Sequence, residues 1–350
     1  MLCLRPARRV EKRALFSIGS HMKSLLHHRP DSLPRRGILR GLALAGLLGL
    51  TLSNTGCSVK RLAINQLGDA LSNGGGSFAT DDDPELIRDA APFSLKLMES
   101  LLNEAPHHRE LLQALASGFT QYAYAFAQQP ADELEEKDLA AANAGRTRAK
   151  RLYLRARNYG LRGLEVRHPG FENKLRANSA AAVRGVKKAD APLLYWTAAA
   201  WAAGISLSKD SPDAIADLPL AAALIDRALV LDEAFDQGAI HSFLISFEVA
   251  RPGAGPDAVA KARRHFARVV ELSGGSQAGP FVALAENVAV KQQNATEFKA
   301  LLDQALAVNV DARPEWRLVN TIMQRRARWL LGRMDDLILP ALPAEPTKQP

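Results

Sequence analysis

The sequence predicts an all-α protein of about ten helices in stacked antiparallel pairs. Three observations carry that reading. Pro84, Pro192, Pro212, Pro219, Pro256, Pro280 and Pro314 each precede or open an apolar pattern of helical period, often after a Ser, Asp or Gly, as helix starts do. Apolar residues between them recur three and four apart: Val259, Ala262, Phe266, Val269 and Val270 share one face, and Phe298, Leu301, Leu302, Ala305 and Val308 another. Strand-like alternation is almost absent, and Ala and Leu, both strong helix formers, dominate.

Residues 1–56 read as a secretory leader of the lipoprotein type. The charge-free stretch from Gly41 to Gly56 follows Arg35, Arg36 and Arg40 and ends at Cys57. A basic segment, a short apolar core and small residues before a cysteine imply cleavage there and lipid attachment at Cys57. The stretch falls short of the roughly 20 residues of a bilayer-spanning helix and contains four glycines. Asn54 stands where an aliphatic residue is usual. The run Arg35-Arg36-Gly37-Ile38-Leu39-Arg40 also resembles a twin-arginine export signal, and Met22 is an alternative start.

Charge excludes a class of function. The chain carries a formal +8, but ten of its 45 basic residues and only two of its 37 acids lie in residues 1–56, leaving 35 of each. A neutral remainder does not suit the phosphate backbone, so no nucleic-acid partner is expected. Cys3 lies in the leader and Cys57 takes the lipid, so no thiol is left for a disulfide, a metal or catalysis, and stability must come from packing.

Residues 57–82 read as a lipidated tether. An amphipathic piece, Val59 to Leu71, precedes Ser72-Asn73-Gly74-Gly75-Gly76-Ser77. That run is costly to order and lacks the Gly-Lys-Ser/Thr of a phosphate loop. The run Asp81-Asp82-Asp83 reads as a helix start rather than a calcium site, with Asp83 as cap and Pro84 in the first helical position.

The helical domain spans 83–339, and 340–350 reads as a disordered tail. Helix closes at Leu231, Leu272 and Val308 fall 41 and 36 residues apart, near the 34 of tetratricopeptide repeats. Such pairs bury their apolar faces only by stacking, which makes a curved α-solenoid with a concave binding surface. A compact irregular bundle is the alternative.

No catalytic constellation is found: no Gly-x-Ser-x-Gly, no His-Glu-x-x-His and no G-x-G-x-x-G after a strand. The adjacent pairs His27-His28 and His107-His108 diverge by about 100° on a helix and do not chelate one ion; His107 and His108 read as turn residues. The acidic run Asp132-Glu133-Leu134-Glu135-Glu136 reads as a solvated helix start. No cofactor or metal is implied, and the chain is not expected to be an enzyme.

Two aromatic islands stand out in a chain with 6% aromatic residues. In Ser117-Gly118-Phe119-Thr120-Gln121-Tyr122-Ala123-Tyr124-Ala125-Phe126, helical spacing aligns Phe119, Tyr122 and Phe126 and turns Tyr124 away. In Tyr195-Trp196-Thr197-Ala198-Ala199-Ala200-Trp201, two indoles lie among alanines that let helices approach closely. Core packing is one reading of these rings; the other has Phe119, Tyr122, Tyr124, Phe126, Trp196 and Trp201 lining an apolar ligand pocket on the inner face.

Asp81-Asp82-Asp83-Pro84-Glu85-Leu86, then Ala91-Pro92-Phe93 with Leu95-Lys96-Leu97-Met98-Glu99-Ser100-Leu101-Leu102, then Ser117 to Phe126, resemble the TatT family, the T-component lipoproteins of tripartite ATP-independent periplasmic (TRAP) transporters. The similarity runs from about Cys57 to Leu339. It implies a tetratricopeptide-like periplasmic lipoprotein that docks a solute-binding P-component, passes or holds a small apolar ligand, and can form a homotrimer. The resemblance supplies no catalytic residues.

The expected function is ligand handling for a TRAP-type secondary transporter: binding or relay of a small, partly apolar or carboxylate-bearing molecule. Ser58 after the lipidated cysteine points to the inner face of the outer membrane. Arg317, Arg325, Arg326 and Arg328, near Trp316 and Trp329, read as a solvated face, with partner or anion docking as the sharper alternative. A protein-interaction scaffold for envelope assembly, without a small-molecule site, is the rival function; a divergent hydrolase is the remote one.

Overall fold

The computed structural model describes residues 65–71, 76–251 and 253–339. The chain divides after Gly56, and every described residue belongs to the second unit. The leader, Cys57, His27-His28 and the tail 340–350 lie outside the described residues.

Among the described residues there is no strand, and fourteen α-helices of five residues or more run between Pro84 and Leu331. They are α1 (Pro84–Glu104), α2 (Arg109–Ala123), α3 (Gln129–Leu134), α4 (Leu139–Glu165), α5 (Phe171–Ala177), α6 (Ser179–Arg184) and α7 (Ala191–Ser206), followed by α8 (Pro212–Ala216), α9 (Leu218–Leu231), α10 (Ala239–Ala250), α11 (Ala258–Ser273), α12 (Gly279–Leu284), α13 (Ala295–Ala307) and α14 (Arg317–Leu331). The all-α reading holds, with more helices than the ten expected. Five of them, α3, α5, α6, α8 and α12, have five to seven residues, too few turns to print a period on the sequence.

Helix starts follow the local chemistry. Asp83 accepts hydrogen bonds from the amides of Glu85 and Leu86, with Pro84 in the first turn of α1. Prolines occupy the first turn of α7, α8, α9 and α12 as well. Asp138, Asn178, Ser211 and Asn294 each cap a helix through the side chain, satisfying amides that have no partner within their helix. The run Asp132–Glu136 departs from expectation. It ends a helix rather than starting one, because the helix of Arg109 continues through a π turn at Tyr124–Gln128 into α3.

Packing proceeds largely between neighbours: α1 on α2, α2 on α4, α4 on α7, α7 on α9, α10 on α11, α12 on α13 and α13 on α14. The repeat closes inferred from the sequence fall on alternate helices, with Leu231 ending α9, Leu272 in the last turn of α11 and Val308 capping α13. Four apolar clusters fill the body, the smallest formed by Ala123, Ala127, Ala149 and Tyr153. One joins α4, α7, α9 and α10 around Trp201 and Phe171, a second joins α10 to α14 around Phe298 and Phe281, and a third joins α1, α2 and α4 around Phe119. Leu71 and Phe78, from the segment read as tether, pack against the third.

The two ends of the helical body also meet. α14 contacts α1 and the helical turn Gly76–Ala79. Arg317 donates to the Thr80 carbonyl at 3.0 Å, and Arg325 reaches Glu85 and Glu133 at 3.2 Å each. Of the arginines read as a solvated face, Arg317 and Arg325 therefore belong to a seam within the chain, while Arg328 is exposed.

Candidate functional site

The best-defined group of chemistry-bearing side chains lies where α1, α2 and α4 meet. Phe119 and Tyr122 are buried on α2, and Tyr159 comes from α4. Phe119 and Tyr159 stack with centroids 6.0 Å apart, and Tyr122 lies 5.4 Å from Phe126. Guanidinium groups cover these rings: Arg155 sits 4.9 Å from the Phe119 centroid, Arg148 5.6 Å from Tyr122 and Arg162 5.5 Å from Tyr159. Cations over ring faces are attracted by the ring quadrupole.

Glu99 of α1 ties the group together. It is 7% exposed and accepts from Arg155, from the Tyr159 hydroxyl at 2.6 Å and from Lys96 at 2.6 Å. Burial pushes its carboxyl up, but the Lys96, Tyr159 and Arg155 donors outweigh burial and hold it below the usual carboxylate range.

The six rings expected to share one ligand surface are distributed over different surroundings. Phe119, Tyr122 and Phe126 belong to the α1–α2–α4 cluster. Trp201 is 1% exposed in the α4–α7–α9 core, with Arg157 and Arg176 at 5.1 and 5.6 Å from its ring. Trp196 is half-buried and meets Tyr195 edge-on at 4.8 Å, and Tyr195 continues to Phe235 and Phe243. Tyr124, turned away as the spacing required, places its hydroxyl 4.0 Å from Met323 Sδ of α14. Burial pushes that hydroxyl up to about 12.

Tyr124 borders a second polar group, which sequence reasoning missed. A cavity of about 220 Å³ is lined by Asp132 of α3 and Glu135 just after it, by Glu286 and Val290, by Arg326, Trp329 and Leu330 of α14, and by Arg333 and Leu337. Arg326 donates to Glu286 Oε1 from Nε at 3.0 Å and from Nη2 at 2.6 Å, and lies 3.5 Å from Asp132. Burial pushes the carboxyls of Glu286 and Asp132 up from their ordinary values against the pull of Arg326. Glu286 sits in the second π turn, Ala285–Ala289, and Tyr124 opens the first. An extra residue in a turn re-aims side chains inward, and such turns are frequent at functional sites. The run Asp132–Glu136 was visible in the sequence as acid; Arg146 pairs with it from 11 to 14 residues away, but Arg325 and Arg333 lie 192 and 197 residues away and carried no local signal.

A second pocket, about 310 Å³, is lined by Asn65, Asp69, Ala105, His107, His108, Arg109 and Glu110. His108 caps α2 through Nδ1, which accepts from the Leu111 amide at 3.4 Å, while Nε2 lies 3.2 Å from the Asn65 carbonyl. Asp69, His108 and Glu110 are near enough to one another to invite a metal reading. With Nδ1 engaged as acceptor, Nε2 carries the proton and has no free lone pair for an ion.

None of the six aromatic residues lines either pocket. What the α1–α2–α4 group offers chemically is a cationic surface over packed rings.

The model of a family described as TRAP transporter T-component matches residues 80–338. The chain belongs to that family. The match covers the helical body from Thr80 to Ile338, including both π turns and the α14 seam. An uncharacterized protein of Treponema pallidum (strain Nichols) is 28% identical over 302 residues, which cover 81% of this chain and 94% of that protein. This T-component is thereby tied to an accessory role in a TRAP transporter, a family that is not a known enzyme class.

Proposed function

We propose that this T-component is a lipid-anchored periplasmic subunit that docks the solute-binding P-component of its transporter and holds or relays a small, partly apolar or carboxylate-bearing ligand. The observation that carries the reading is the family match over the whole helical body, 80–338. A tetratricopeptide-like stacking of helix pairs fits the packing between neighbours and the closes at Leu231, Leu272 and Val308. The contact of α14 with α1 bends that array back on itself rather than leaving an open solenoid. Lipidation at Cys57 would hold the domain near its partner at raised effective concentration, and Ser58 favours the inner face of the outer membrane.

One observation favours the rival reading, an interaction scaffold without a small-molecule site. Phe119, Tyr122 and Trp201 are packed inside apolar clusters and line neither pocket. Native mass spectrometry of the chain mixed with the purified P-component separates the two. A complex carrying a co-purified small molecule supports docking with ligand relay, and a complex without one supports docking alone. If no complex forms, the proposed function is wrong.

A further inference from the structure

α4 carries an unusual stripe. Arg148, Arg151, Arg155 and Arg162 all project within about 60° of one another on the helix, given 100° per residue. All four are exposed. At about 1.5 Å per residue the stripe is about 21 Å long. Arg155 is the only one of the four held by a carboxylate, that of Glu99. Arg148 donates to the Tyr122 hydroxyl and Arg162 to the Pro106 carbonyl, both at 3.4 Å. Arg146, Arg263, Arg268 and Arg326 are neutralised by carboxylates, and α4 itself carries no acid before Glu165. The stripe therefore carries a local excess of positive charge, in a protein balanced beyond its leader.

α1 presents an apolar knob of its own. Phe93 of α1 is 72% exposed. Lys96, one turn further on, holds Glu99, which in turn holds Arg155, so the helix that carries Phe93 is tied to the stripe.

We propose that the outward face of α4, together with Phe93 of α1, docks a carboxylate-bearing face of the P-component. The inference rests on the docking function proposed above and adds the face and its chemistry. Three features fit an acidic protein surface better than a lipid surface. The stripe is built from arginine alone, whose planar fork pairs carboxylates in bidentate fashion. Three of its four guanidinium groups are parked on Tyr122, Phe119 and Tyr159, so they are ordered before a partner arrives and less entropy is lost on binding. An exposed aromatic and a run of arginines are residue types enriched at protein interfaces.

The test measures binding of the full chain to the purified P-component at low and at physiological salt. The variants are the triple reversal Arg148→Glu, Arg151→Glu and Arg162→Glu, and separately Phe93→Ala. Each is first checked for helicity and cooperative melting; Arg151→Glu alone, at the arginine with no partner among the described residues, replaces the triple variant if that does not fold. The expected results are binding that weakens with salt, a loss of at least about tenfold in the triple variant, or about threefold in Arg151→Glu alone, and a loss of several-fold in Phe93→Ala. Unchanged binding by the charge-reversed variant overturns the face and leaves the docking function intact. No binding by the unaltered chain overturns both. If charge reversal spares the P-component but abolishes binding to phosphatidylglycerol vesicles, the stripe belongs to a membrane surface and the proposal fails.

Discussion

Glu99 shows how one buried carboxylate organises its surroundings, since it joins Lys96 of α1 to Arg155 and Tyr159 of α4. Replacing it by Gln leaves the same shape but removes the charge that three donors converge on. We expect Glu99→Gln to cost about 2 kcal/mol in urea unfolding and Tyr159→Phe about 1 kcal/mol; a Glu99→Gln loss under about 0.5 kcal/mol would remove Glu99 from this role. A second residue-scale device is the pair His241 and His265, whose Nδ1 atoms are 2.8 Å apart. Burial pushes both imidazoles down, His265 to about 4. The unfolded chain therefore takes up protons first. Stability is lost as the pH falls from about 6.5 towards about 4, with no further loss from this pair below that. Melting temperatures across that range should fall more steeply for the unaltered chain than for His265→Gln, and equal slopes would contradict this. The rings of Ser117–Phe126 were legible in the sequence because helical spacing is local. Their partners Arg148, Arg155 and Tyr159 were not, since that contact joins residues 26 to 40 apart in the chain.

At the scale of elements, the sequence carried most where the chain's own chemistry starts a helix. Asp83 with Pro84, and the prolines of α7, α8, α9 and α12, open helices as expected. It carried least at the π turns, where Tyr124–Gln128 has ordinary helix-forming residues and only tertiary contact with α14 distinguishes it. That missed continuation is why Asp132–Glu136 read as a helix start. The α4–α7 contact depends on Gly160, because a Cβ there would lie 2.1 Å from Thr197 Oγ1, and that hydroxyl is held by the Leu193 carbonyl at 2.5 Å. Gly160→Ala gains helix propensity yet forces the helices apart, so we expect a net loss of about 1 to 2 kcal/mol, partly recovered with Thr197→Ala. An unchanged denaturation midpoint in Gly160→Ala would show that α4 and α7 are not in such close contact.

For the molecule as a whole, the joining of its ends through α14 was the feature least visible in advance, because it pairs groups some 190 to 240 residues apart. The two arginines of that seam should differ. Arg326 lies buried against Glu286, and Arg326→Ala leaves that carboxylate without its cation, at a cost of about 3 kcal/mol. Arg325 pairs with Glu85 and Glu133 from an exposed position, and Arg325→Ala should cost no more than about 1 kcal/mol. Equal losses in chemical denaturation would mean that the seam is not organised around Arg326. The helical class, the neutral body and the family resemblance were legible from composition, spacing and the Ser117–Phe126 string, whereas the charged cavity and the arginine stripe depend on how distant helices meet. The accessory transport role is tested most directly by solute uptake in cells that keep the P-component and the membrane subunits but lack this chain. Uptake should fall several-fold and return when the chain is restored; uptake that proceeds undiminished in its absence would contradict the account.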